Sequence, residues 1–288
     1  MYVITGATGA LGRLAVESLL TRVPATQVRA TGRRAEALGD LAARGVDVRR
    51  ADYTDPASLA AAFAGATRVL FVSGSENGAR LPQHRNVVEA LAAADTVELV
   101  AYTSILHAQT SDLVLAPEHA ATERLLADAG LPTVRLRNGW YVENFLGALP
   151  TTLEHGMVGA SGEGRFDAAS RADFAEAAVV ALTGGASAGD VLELGAPGFT
   201  RGELAAEIGR AAGRPVTYTD LPVADYTAVL VGAGLPAGVA EMLADSDRGA
   251  AAGLLTVPGD DLARLLGRPA QPWAQVVEQA VRAALVTP

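Results

Sequence analysis

"ITGATGALGRL", residues 4–14, is the stretch that decides the fold. It grows out of the short apolar run "YVIT" (2–5) and opens an amphipathic helix, so three glycines sit in register at a strand-to-helix turn. Gly6 permits the tight turn, Gly9 lets the backbone approach a pyrophosphate, and Gly12 lets the helix pack closely on the strand. The exposed N–H groups and the positive end of the helix then hold an anion. Glycine also serves plain flexibility in an ordinary strand–turn–helix; the context of strand, turn and helix makes the dinucleotide reading specific.

Outward from this unit, the first 136 residues alternate β-branched runs with Ala/Leu-rich stretches, the pattern of βα units on a parallel sheet. Strands are expected at 2–5, 27–31, 46–51, 68–72, 97–103 and 132–136. Asp55-Pro56 reads as an N-cap followed by proline at the first helical position, and Gly65 as the close of that helix. After "RNGWYVENF" (137–145) the texture changes to the glycine-rich "GMVGASGEG" (156–164). There follow a helix from about Arg171 to Leu182, a strand "DVLEL" (190–194), a helix opened by Thr200, "PVTYTDL" (215–221) and a mostly helical tail. The expected organisation is a doubly wound parallel sheet in residues 1–150 and a smaller mixed α/β domain in 151–288, with late segments free to return to the main domain.

Composition narrows the function classes. The 288 residues are 50% hydrophobic and 19% charged, enough to bury a large core, and the net charge of −9 argues against a nucleic-acid partner. There is no cysteine, which excludes disulfides, thiolate nucleophiles and cysteine-ligated metals, and four scattered histidines suggest no metal centre. All 23 basic side chains are arginine, so a Schiff base, a P-loop lysine and a Tyr-Lys catalytic pair are all ruled out. "MYVITGATG" lacks the basic region of a signal peptide, and no run approaches the ~18 apolar residues of a membrane span. A cytoplasmic protein with no membrane insertion is expected, acting on a small molecule.

The end of the second strand, where an acid would read the ribose 2′-hydroxyl of NAD, carries Arg33 and Arg34 instead. A guanidinium pairs bidentately with a 2′-phosphate, which favours NADP. Two arginines could equally decorate a solvated helix start, although cations are disfavoured there by the helix dipole. Asp52 reads either as an acceptor for the adenine amino group or as a turn cap. "VSGSENG" (72–78) is a small polar loop at the carboxyl edge of the sheet, where ligands bind in open α/β folds. "APEHAATERLL" (116–126) opens a helix that places His119 and Glu123 one turn apart, at the spacing of a Tyr-x-x-x-Lys pair. Either the carboxylate tunes the imidazole or both are surface residues supporting the helix. His84 and His107 read as structural, His107 following a strand end that faces the site; Tyr102 and Trp140-Tyr141 read as core aromatics or as a wall of the pocket.

With the glycine motif, Arg33, the missing Tyr-Lys pair and "LRNGWYVENF" taken together, the chain resembles the atypical short-chain dehydrogenases of the NmrA-like group. Within that group it is most similar to the bacterial NADPH-dependent quinone oxidoreductases of type 2. The likeness covers nearly the whole chain and is most specific in "LRNGWYVENF" and "GLPAGVAEMLADSD". It implies a Rossmann domain that binds NADP (NADPH), a smaller C-terminal domain and a quinone substrate in the cleft over the nicotinamide; a homodimer is compatible with it. Carried over by position, cofactor contacts come from Gly6, Ala7, Thr8, Gly9, Ala10 and Leu11, from Arg33, and from Ser73, Gly74 and Ser75. The third block is Arg137, Asn138, Gly139, Trp140, Tyr141 and Val142. Gly74 stands where another serine is expected from the resemblance, and Val142 where the family often has a small polar residue.

Reduction of a ketone to an alkoxide needs a proton delivered as charge develops. A quinone accepts hydride to give a delocalised phenolate, a much weaker base, so a dedicated acid becomes optional and ring alignment can supply most of the acceleration. No catalytic residue is fixed by this reading; Tyr141, His107 and Asn138 are the candidates. The alternative is a non-catalytic NAD(P)-binding redox sensor of the NmrA type that regulates a partner protein.

Overall fold

The computed structural model describes residues 1–76 and 78–286; Asn77, inside the 72–78 loop, lies outside the described residues, as do 287 and 288. The first half contains strands β1 (Tyr2–Ile4), β2 (Val28–Gly32), β3 (Asp47–Arg50), β4 (Arg68–Phe71), β5 (Leu99–Ile105) and β6 (Thr133–Asn138). The second half adds β7 (Met157–Gly159), β8 (Arg165–Phe166), β9 (Val191–Leu194), β10 (Phe199–Thr200) and β11 (Tyr218–Asp220). Between them run α1 (Ala10–Leu20), α2 (Gly39–Ala43), α3 (Pro56–Phe63), α4 (Arg80–Ala92), α5 (Ala116–Asp128) and α6 (Leu149–His155). Then follow α7 (Arg171–Val180), α8 (Arg201–Ala212), α9 (Val223–Gly232), α10 (Ala237–Ala251), α11 (Asp261–Leu266) and α12 (Trp273–Val286).

Seven parallel strands form one sheet in the order β3-β2-β1-β4-β5-β6-β9, which reverses direction between β1 and β4. Side chains alternate across each strand, so Val3, Val69, Phe71, Val100 and Tyr102 join one core while Ile4, Leu70, Leu99 and Ala101 join the other. Helices cover both faces, and this double burial is why the strands read as near-continuous apolar runs. Leu59, Phe63, Val87, Leu91 and Leu126 from α3, α4 and α5 seal the first face. Leu11, Leu19, Phe174, Ala178 and Leu262 from α1, α7 and α11 seal the second. A third core, with Phe166, Phe199, Leu204, Ile208, Val277 and Val281, belongs to the smaller lobe around α8 and α12.

The second half of the chain supplies α7, β9 and α11 to the main sheet layers, and the third core also takes Ile105, Leu113, Val142 and Leu149 from the first half. Local signals act as written in the chain. Asp55 caps α3 by accepting from the Ala57 and Ser58 amides, with Pro56 at the first position. Thr200 and Glu203 form a reciprocal capping box on α8. The helix expected from Arg171 to Leu182 ends at Val180 and widens into a turn over Ala181–Gly185. Gly184, at φ 116°, breaks it, and the Thr183 hydroxyl donates back to the Val179 carbonyl at 2.8 Å.

Candidate active site

A cleft of about 850 Å³ opens at the carboxyl edge of the sheet, where the strand order reverses between β1 and β4. Its first end is backbone. Gly6 adopts φ +61°, and a Cβ on Gly12 would stand 2.3 Å from the Gly6 carbonyl oxygen, so helix and turn touch through bare main chain. No side chain caps α1 at Gly9, which leaves the first-turn N–H groups of Ala10, Leu11 and Gly12 for a ligand. Thr8 packs against Gly32, where a Cβ would lie 2.8 Å from its Cγ2. Gly6, Thr8, Gly9, Ala10 and Leu11 all line the cleft. Ala7 does not: it is fully buried and its N–H donates to the Thr31 carbonyl at 2.8 Å, pinning the turn to β2.

Arg33 follows β2 and lines the cleft, whereas Arg34 does not. Its side chain is 65% exposed, and Nη1 donates to Glu76 Oε1 at 2.7 Å. Asp52 accepts from the Thr54 amide at 3.0 Å and the Thr54 hydroxyl at 2.7 Å, and pairs with Arg50. Those Thr54 bonds hold its carboxyl below the ordinary range, and Asp52 is a turn cap at the cleft wall.

The loop after β4 is held from behind. The Gly74 N–H donates to His84 Nε2 at 2.9 Å, and the Gly74 carbonyl accepts from Arg80 Nε at 2.8 Å. Because a peptide N–H occupies Nε2, the imidazole proton sits on Nδ1, 2.9 Å from the Thr122 hydroxyl, which itself donates to the Glu118 carbonyl. Burial, helped by the Arg80 charge, pushes His84 down to about 3, so it stays neutral and keeps this acceptor role. Ser73, Gly74 and Ser75 line the cleft, and the Ser73 N–H donates to the Thr103 hydroxyl at 2.9 Å. A Cβ on Gly74 would stand 3.2 Å from Gln83 Oε1, the end of a flexible side chain.

At the other end the groups are side chains. His119 and Glu123 are 6% and 3% exposed, which corrects the expectation of two surface residues: α5 turns this face onto β5. Nor do they serve each other. His119 Nδ1 lies 2.8 Å from the Tyr102 hydroxyl. Glu123 accepts from Ser104 at 2.7 Å and from Arg137 at 2.9 and 2.7 Å. Burial alone would raise the Glu123 carboxyl, but the bonds from Arg137 and Ser104 outweigh it and hold the group below its ordinary value. Arg137 also pairs with Glu193 at 2.9 Å and does not line the cleft, its guanidinium being spent between two carboxylates.

Asn138, Gly139, Trp140 and Tyr141 line the cleft. The Asn138 amide is buried, and among the described residues neither its nitrogen nor its oxygen finds a well-formed hydrogen bond. Tyr141 packs edge-on against Phe174 and under the Arg171 guanidinium, and burial raises its hydroxyl, a shift that neighbouring Asn138 opposes. Val142 is fully buried in the smaller lobe's core and faces away. His107 is not in the cleft wall: at φ 53° its N–H donates to Glu193 and its Nε2 meets the Thr256 carbonyl, both at 2.9 Å. Leu115, Met242 and Leu243 complete the wall from α10 and the approach to α5; no local pattern announces them, because distant segments fold over the site. Among the described residues no cluster could hold a metal ion.

An uncapped helix start, a glycine cradle and an orphaned amide along one cleft fit a nicotinamide dinucleotide. The NAD(P)H-binding family profile matches residues 6–184. Quinone oxidoreductase 2 of Escherichia coli K12 is 48% identical over 279 residues, covering 96% of this chain and 97% of that protein. The crystal structure of the E. coli NADPH-dependent quinone oxidoreductase complexed with NADPH superposes with a TM-score of 0.93 at 47% identity, over 97% of this chain and 99% of its own. An NmrA-like family domain-containing oxidoreductase of Aspergillus flavus is 32% identical over 223 residues, 75% of this chain and 72% of that protein. The chain belongs to the NAD(P)H-binding, NmrA-like family.

Proposed function

We propose that this protein is an NADPH-dependent oxidoreductase that reduces quinones by direct hydride transfer without a Tyr-Lys pair. Reduced nicotinamide, when bound, supplies the hydride. The amides of Ala10, Leu11 and Gly12 would hold the pyrophosphate, and Arg33 would exchange Glu76 for the 2′-phosphate. Asn138, buried and unpaired, offers a donor and an acceptor to the carboxamide, with Ser73–Ser75 and Gly139–Tyr141 as flanking walls. Leu115, Trp140, Met242 and Leu243 form an apolar slot that excludes water and aligns a flat acceptor.

The observation that carries the reading is this slot lying in one cleft with the bare glycine turn. A dinucleotide sensor would need the turn but not the slot, which sets the regulator reading second. Purified protein mixed with NADPH and benzoquinone or menadione should consume NADPH steadily. Protein that binds NADPH and turns over no quinone overturns the proposal. Among the described residues no helix is long and apolar enough to cross a membrane, and a cytoplasmic location belongs to the same proposal. So does a homodimer, for which the exposed Val229 and Val231 of α9 offer apolar surface; a monomer mass in solution removes it.

A further inference from the structure

We propose that His119 donates a hydrogen bond from Nε2 to the acceptor's oxygen, and that Tyr102 is the positioning residue that aims it. The inference rests on the quinone reading above. His119 lines the cleft, yet its ring is almost wholly buried, so one edge reaches the open space. That edge is Nε2. Nδ1 is taken by Tyr102 at 2.8 Å, and Nε2 has no hydrogen-bond partner among the described residues while not being sealed off as the Asn138 amide is.

The network points to the nitrogen that carries the proton. The Thr122 hydroxyl spends its hydrogen on the Glu118 carbonyl and receives one from His84; its oxygen also neighbours the Tyr102 hydroxyl, but the well-formed bond of that hydroxyl, at 2.8 Å, is the one to His119. Tyr102 is fully buried, and its O–H finds its well-formed partner in His119 Nδ1. Nδ1 is therefore the acceptor and Nε2 carries hydrogen. Burial first, then the charge of Arg80 and the proximity of His84, hold His119 well below its ordinary value, so it works as a neutral donor.

The electron balance leaves the imidazole unchanged. The quinone gains a hydride, two electrons and one proton, from the dinucleotide and becomes the hydroquinone monoanion; the dinucleotide is oxidised. His119 keeps its Nε2 proton and shares it with the oxyanion, which takes its second proton from water after release. Eager acceptors gain little from such a bond. Electron-rich acceptors, whose transition state carries more localised charge, gain more.

Three variants test this: His119→Phe keeps the ring and removes the donor, His119→Gln restores an N–H at the same reach, and Tyr102→Phe frees Nδ1. NADPH affinity, read by fluorescence titration, should stay within about twofold in all three and certify folding. With His119→Phe, kcat/KM should fall about tenfold on menadione and within about twofold on benzoquinone, while His119→Gln retains both. In the ligand-free protein, the 15N histidine signal lost in His119→Gln should be protonated at Nε2, and Tyr102→Phe should mix the tautomers. Equal activity of His119→Phe on both acceptors, or a proton on Nδ1 of His119, overturns the inference while leaving the quinone reading intact. Wild-type protein inert toward both quinones removes that reading itself. Should His119→Phe not fold, Tyr102→Phe decides: no change in acceptor preference and no change of tautomer sinks the assignment.

Discussion

The two ends of the cleft are made of different material. The end we assign to the phosphates is main chain from seven consecutive residues, Gly6 to Gly12, and it offers carbonyls and amides that every sequence possesses. The end we assign to the acceptor is side chains from β5, α5, β6 and α10, with Tyr102 and Leu243 at its extremes in sequence. Backbone recognition depends on what is absent, a Cβ or a cap. Side-chain recognition depends on what distant residues bring, and so can be retuned one group at a time.

The strongest break of that contrast is Gly12→Val, which sets new carbon 2.3 Å from the Gly6 carbonyl. A cost of about 3 kcal/mol, or about a hundredfold weaker NADPH binding, is expected in thermal unfolding and titration. Intact binding would show the turn to be softer than its geometry. Next, Arg33→Ala should weaken NADPH by about 2 kcal/mol, roughly thirtyfold, and leave NADH unchanged. The exposed pairing with Glu76 competes little, because such surface bridges are worth under about 1 kcal/mol. Equal loss for both dinucleotides would assign Arg33 a structural role.

Acidity reads the side-chain end. His84 has a folded value of about 3 against an ordinary 6.5, and His119 shifts the same way, so between these limits the unfolded chain binds protons that the fold refuses. The stability from His84 is therefore complete above about pH 6.5 and lost as pH falls toward 3, by up to about 1.4 kcal/mol per pH unit, and His119 contributes in the same direction. Urea unfolding at stepped pH should show this slope, and His84→Gln should reduce it. The smallest effect comes from Asn138→Leu, which removes two unpaired buried atoms. The ligand-free protein should gain about 1 kcal/mol while its NADPH affinity falls. Loss of stability instead would mean that the amide already has its partner.

The sheet was legible because burial on both faces writes itself into consecutive apolar residues: each of the six strands expected up to residue 136 lies within two or three residues of its observed place. The glycine turn was legible for the same local reason, and within it the Ala7 amide is spent on Thr31. At the other end, His119 and Glu123 stood out by spacing, but the partners that bury them, Tyr102 and Arg137, lie on other strands.

What the sequence alone determined is the class of chemistry: no lysine, no cysteine, an arginine after the second strand and a glycine turn at the first. Composition and short-range geometry suffice for that, because absence of a group and a strand-to-helix turn are both local facts. Only the tertiary structure decided that Arg137 is locked between Glu123 and Glu193, that His107 is held by Thr256, and that α10 walls the slot. Those outcomes depend on which buried polar groups find each other across the fold, and a buried charge or donor takes its role from the partner that satisfies it.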